Sequence, residues 1–114
     1  MNYESIFNNI SEGVLTVDTQ LRIQRFNSVA EKITGFSATE AIGKHCSEVL
    51  RTTLTNDRHP LALAFEAGEG GSDYELTISR KDGSEIPIRI SVNVIHDQDN
   101  EIVGAVGSFR DITE

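Results

Sequence analysis

The sequence predicts an α+β domain: a five-stranded antiparallel sheet with short helices on one face and an N-terminal helix flanking it. Three observations carry this expectation. Ile86, Ile88, Ile90, Val92 and Val94 alternate with Pro87, Arg89, Ser91 and Asn93, the period of a strand with one dry and one wet face. Strand-like runs lie on both sides of it, beyond the turn signals Lys81-Asp-Gly83 and Asp97-Gln-Asp-Asn100, so the chain closes with a three-stranded meander. Two shorter strand-like runs come early, and the stretch between them and the meander breaks at glycines and a proline into short helical pieces.

The elements follow in order. Tyr3, Ile6, Phe7 and Ile10 fall at i, i+3, i+4 and i+7, an apolar stripe on a short helix assigned to residues 1–12. Residues 13–114 form the domain proper. Gly13-Val-Leu-Thr-Val-Asp18 and Leu21-Arg-Ile-Gln-Arg-Phe26 pair as a hairpin across Asp18-Thr-Gln. Asn27 caps a helix starting at Ser28, with Val29 and Ile33 inward and Gly35 at its end. Ser37-Ala-Thr-Glu40 is a capping box opening a further short helix that Gly43 ends, and His45 to Leu50 supply one more turn. Pro60 suits the first turn of the next helix, where Leu61, Leu63 or Ala64, and Phe65 form the buried face before Gly68. Strands are then expected over 73–80, 85–96 and 101–113. Tyr74, Leu76 and Ile78 on one neighbour and Val103, Ala105, Gly107 and Phe109 on the other match the inward set of the middle strand. Ile102 and Val106 remain as an outward apolar patch, a natural dock for the Tyr3, Ile6, Phe7 and Ile10 stripe.

Composition bounds the function. With 114 residues the chain suits one domain. Eighteen acids against ten bases leave a net charge of -8, which repels phosphate backbones, so no nucleic-acid contact is expected. The longest apolar stretch, Leu61 to Phe65, is far short of a membrane span, and the N-terminus has neither the charge nor the apolar block of an export signal. A cytoplasmic setting without membrane contact is expected. One cysteine, Cys46, excludes an internal disulfide and a CxxC motif. No serine stands in G-x-S-x-G and no third residue can be named to orient a base beside Cys46, so no catalysis is assigned to the domain.

The motifs, taken together, are similar to those of Per-Arnt-Sim (PAS) sensor domains, from Phe7 to Thr113. They are Glu12-Gly-Val, Phe26-Asn27 with Ala30-Glu31, Thr34-Gly-Phe-Ser37, Ala41-Ile-Gly43, Lys81-Asp-Gly83, Ile86-Pro87 and Arg110-Asp-Ile-Thr113. The resemblance implies a cavity between sheet and helices, lined here by Val14, Phe26, Asn27, Ile33, Cys46, Leu63, Ile78, Ile88, Ile90 and Phe109. It also implies that Asp111, Ile112 and Thr113, at the end of the last strand, relay the domain's state to a following effector, a histidine kinase or a transcription activator. A homodimer through Tyr3, Ile6, Phe7 and Ile10 is expected. Two functions stay open: a non-catalytic module that binds a small ligand or relays a signal, and a structural dimerisation module without ligand.

The cofactor is unknown. Cys46 in Gly43-Lys-His-Cys46 stands where light-oxygen-voltage flavin domains carry a reactive cysteine, but the arginine and glutamine that hold the flavin there are replaced. Ile78, Ile88 and Phe109 stand where those domains place amides, so flavin would forfeit hydrogen bonds costing ~1 to 3 kcal/mol each. Haem is not expected either, because His59 sits at the mouth of the helix, as a solvent-facing or capping residue. No metal is assigned; His45, Cys46 and His59 are ligating types without regular spacing. Cys46 is read as a buried small hydrophobe, with a thiol or metal redox sensor through Cys46 and His59 as the remote alternative.

Overall fold

The computed structural model describes residues 11–52, 59–68 and 72–113. Among the described residues the antiparallel sheet has six strands, one more than expected. They are β1 (Gly13–Val17), β2 (Ile23–Phe26), β3 (Arg51–Thr52), β4 (Ser72–Ser79), β5 (Glu85–His96) and β6 (Ile102–Asp111), in the order β2-β1-β6-β5-β4-β3. The added strand is the two-residue β3, which pairs Arg51 with Ser79 and Thr52 with Ile78 at the edge of β4. The helices are α1 (Ser28–Thr34), α2 (Ala38–Ala41), α3 (Cys46–Val49) and α4 (Pro60–Ala67). The stripe Tyr3, Ile6, Phe7 and Ile10 lies outside the described residues.

Directly paired residues share a face of a sheet, so register sorts the side chains. One row runs Gly13, Phe109, Ile90, Tyr74; the next runs Leu15, Gly107, Val92. This is the inner face, where the buried core collects around Phe109, Ile78, Ile88, Ile90, Val92, Leu15 and Ile23 beneath the helices. Gly13 permits the close approach of Phe109 and α1, because a Cβ there would come within 2.8 Å of the Phe109 ring and 3.1 Å of Ala30 Cα.

The local signals that start and stop the helices act as expected. Asn27 caps α1, Gly35 ends it with φ 83°, Ser37 and Glu40 form a reciprocal capping box on α2, and Pro60 opens α4. Three expectations are corrected. In α1, Ala30 and Thr34 are the buried residues, while Val29 and Ile33 are half-buried. The second strand begins at Ile23 because Asp18 Oδ1 accepts from the amides of Gln20 and Arg22, bending the chain so that Leu21 takes φ 65°. Val103 is 46% exposed rather than inward, since the register of β5 and β6 shifts between Ile95 and His96 and a bulge reverses the alternation there.

Candidate functional site

Of the ten residues expected to line a cavity, Phe26, Cys46, Ile78, Ile88, Ile90 and Phe109 are buried members of the core. Ile33 packs against them half-buried. Val14 is buried but pairs with Ser108, which places it on the face opposite Phe109. Leu63 is half-buried; Leu61 and Ala64 hold the inward positions of α4 instead. Leu61 reaches down to Gly107, where its Cδ2 would lie 3.7 Å from an added Cβ. The i, i+3 spacing of Leu61 and Ala64 after the helix-opening Pro60 is the signal that finds them. Asn27 is wholly buried and committed to the backbone: its Oδ1 accepts from Val14 N and Ala30 N, both at 2.9 Å, and its Nδ2 donates to Glu12 O at 3.0 Å. Two surface clefts lie away from this interior, one at the hairpin tip His96 to Asp99, the other at Gly35, Arg80, Lys81 and Asp82.

Between α3 and α4 the interior holds a polar pair. His59, expected at the surface or as a cap, is a cap and is buried, with 1% exposure. Its Nε2 lies 3.1 Å from Leu50 O, so that nitrogen donates, and Nδ1 is left to accept from Leu61 N at 3.3 Å. Cys46 Sγ lies 4.0 Å from the same Nδ1. Burial pushes the Cys46 thiol up to about 12, so the sulfur is an S–H donor and not a nucleophile at neutral pH. His45 turns to Ser47 as the cap of α3, with Nδ1 2.8 Å from Ser47 Oγ. Among the described residues no three His, Cys, Asp or Glu side chains gather in a way that could hold a metal ion. Replacement Cys46→Ala is expected to cost about 1 kcal/mol, the loss of a small buried group, read as a shift of the denaturant midpoint. Rapid labelling of the native thiol would contradict that role.

The end of β6 forms a second cluster. Asp111 Oδ1 accepts from Thr113 N at 2.8 Å and from Thr113 Oγ1. These bonds, with the nearby Arg80 guanidinium, hold the Asp111 carboxyl below the usual carboxylate range. Ile112 N extends the pairing with β5 by donating to Pro87 O at 3.1 Å. Arg80 is the link to the helices, because its Nε donates to Ile33 O and its terminal nitrogen to Lys32 O, both at 3.0 Å, where the last turn of α1 leaves carbonyls without helical partners. Beside it, the Arg51 guanidinium and the Lys81 ammonium both stand over the ring of Phe36, 5.6 Å and 5.9 Å from its centroid. Lys81 also pairs with Glu40 of α2, which draws that carboxyl down to about 2. Arg80 and Phe36 were not singled out by sequence reasoning.

A family model described as a PAS domain matches residues 11–114. The chain is 32% identical over 115 residues to the sensor protein CitS of Halalkalibacterium halodurans, covering 97% of this chain and 19% of that protein. It is 28% identical over 108 residues to the signal transduction histidine-protein kinase AtoS of Escherichia coli, covering 95% of this chain and 17% of that one. The chain thus spans about a fifth of the length of these curated relatives. Among solved structures, the PAS domain of a protein from Colwellia psychrerythraea superposes with a TM-score of 0.80 at 25% identity, covering 96% of this chain and 92% of that one.

Proposed function

Because the chain belongs to the PAS domain family, we propose that it is a non-catalytic sensory module that binds a small ligand or receives a signal and relays it to a C-terminal effector, a histidine kinase or a transcription activator. The observation that carries this reading is the Arg80 bridge. A change in the interior that shifts α1 moves the carbonyls of Lys32 and Ile33, and with them the guanidinium whose field bears on Asp111 at the exit of β6. Asp111, Ile112 and Thr113 then pass the change on. The signal enters beneath α1 and α4, where Phe26, Ile33, Cys46, Ile78, Ile88, Ile90 and Phe109 meet.

Homodimerisation belongs to the same reading. Val106 is half-buried on the outer face of β6, paired with Thr16 and Asn93, whereas the register shift beyond Ile95 pairs Ile102 with His96 and takes it off that face. The stripe Tyr3, Ile6, Phe7 and Ile10, read from the sequence as a helix too short to be stable alone, would need such an outer surface or a partner. A purely structural dimeriser is the second reading. It is favoured by the apolar side chains of Leu61 and Ile90, which close together over Gly107 beneath α4. In the described residues no helix is long and apolar enough to cross a membrane.

The test is made in a parent protein carrying the effector. Replacement Asp111→Ala is expected to leave the melting temperature within a few degrees, as for surface substitutions, while output no longer follows the stimulus. Arg80→Gln should do the same by releasing the guanidinium from α1. Output that still follows the stimulus in both variants would exclude the relay.

A further inference from the structure

His59 has both ring nitrogens committed. Nε2–H is spent on Leu50 O at the end of α3, and Nδ1 serves as acceptor for the first free amide of α4, Leu61 N–H, and for the Cys46 thiol. A proton added to Nδ1 would face the Leu61 N–H and, at 4.0 Å, a thiol sulfur that is only a weak acceptor, in a site that water does not reach. We propose that His59 is a proton-operated latch on α4: neutral, it ties the start of the helix to α3 and so holds Leu61 on the inner face over Gly107, and protonated, it releases the helix from that face.

The groups around the ring, apart from the Leu50 carbonyl, favour its neutral form. From α3, Cys46 presents a protonated thiol, and His45 just ahead of it disfavours positive charge on the ring. Arg51 of β3 sends its guanidinium to the carbonyls of Ser79 and Arg80, and Glu66 on α4 is exposed. From β5 and β6 the residues beneath α4 are Ile90 and Gly107, which carry no charge. No carboxylate among the described residues bears on the ring, and burial holds its pKa below the ordinary 6.5. Once α4 lifts, the imidazole meets water and recovers that ordinary value. Opening therefore gains a proton as the pH falls through 6.5, and its population grows between there and the lower value of the closed state. From about pH 8 to about pH 5 the gain is at most about thirtyfold for a single imidazole.

Amide exchange measured on the whole chain, corrected for the intrinsic pH dependence, tests this. Peptides covering 60–67 should lose protection by up to that factor on acidification while peptides from β5 keep theirs, and His59→Asn, which can still cap α4 without titrating, should abolish the difference. The latch is overturned if α4 and β5 lose protection together, or if the acid response survives in the variant. Should the variant fail to fold, imidazole NMR of the native chain decides: an Nε2–H tautomer that titrates below 6.5 supports the latch, and an Nδ1–H tautomer or an ordinary titration overturns it.

Discussion

Replacement of Asn27 by alanine is expected to destabilise the domain by about 3 to 4 kcal/mol, a large share of the roughly 5 to 15 kcal/mol that a domain of this size has. The side chain does two jobs at once. As the cap of α1 it satisfies Ala30 N–H, a role worth about 1 kcal/mol. It also joins the start of β1 to the helix, accepting from Val14 N and donating to Glu12 O. In the alanine variant these backbone groups, shielded from water, lose their partners, at about 1 to 3 kcal/mol for a buried group left unsatisfied. Two further variants separate the roles. Asn27→Ser should restore about 1 kcal/mol through capping alone. Asn27→Asp can still accept, but it sets a carboxylate oxygen against Glu12 O in a buried place, so it should recover little. Chemical denaturation of the three variants checks this, and a loss below about 1 kcal/mol for Asn27→Ala would show that the strand link carries no weight.

Asn27 also shows how far the sequence could be read. That it caps a helix was legible, as were the Ser37 and Glu40 capping box, the Pro60 start of α4 and the alternation of β5, because each depends on residues within a few positions of one another. Its bonds to Glu12 and Val14 were not, since they depend on how β1 returns beside the helix. The same distinction accounts for the other misses. β3 is two residues long, too short for any periodicity, and exists through its pairing with Ile78 and Ser79. His59 reads as a residue at a helix mouth, and its burial follows from the reach of its ring to Leu50 O, nine positions away. Val14 looked inward by composition, yet register assigns it to the other face, because the inner position of that strand belongs to Gly13, where the Phe109 ring lies. Arg80 had no pattern to mark it, since its partners are the carbonyls of Lys32 and Ile33, whose positions depend on the fold and not on their side chains.

Two glycines of β6 make the contrast between packing and backbone collision testable. At Gly104 an added Cβ would stand 2.4 Å from Val17 O, a backbone oxygen, with Val17 C at 3.5 Å and Asp18 Cα at 3.9 Å behind it. That oxygen cannot step aside without moving the end of β1, where Val17 pairs with Ala105. Gly104→Ala should therefore cost about 3 kcal/mol, at the upper end of what overpacking costs. At Gly107 the same methyl would meet Ile90 Cδ1 at 3.5 Å and Leu61 Cδ2 at 3.7 Å, ordinary contact distances to side chains. Gly107→Ala should be close to neutral, because the methyl gains contacts and a strand residue with a side chain loses less chain entropy on folding than glycine. Thermal unfolding of the two variants side by side reads the difference, expected at roughly 4 to 8 °C per kcal/mol for a chain of this length. Equal melting temperatures would mean that the turn of β1 at Val17 and Asp18 yields to a methyl group. The closeness that Gly104 allows would then be dispensable, and the register shift beside it, between Ile95 and His96, would alone account for the bend of this hairpin.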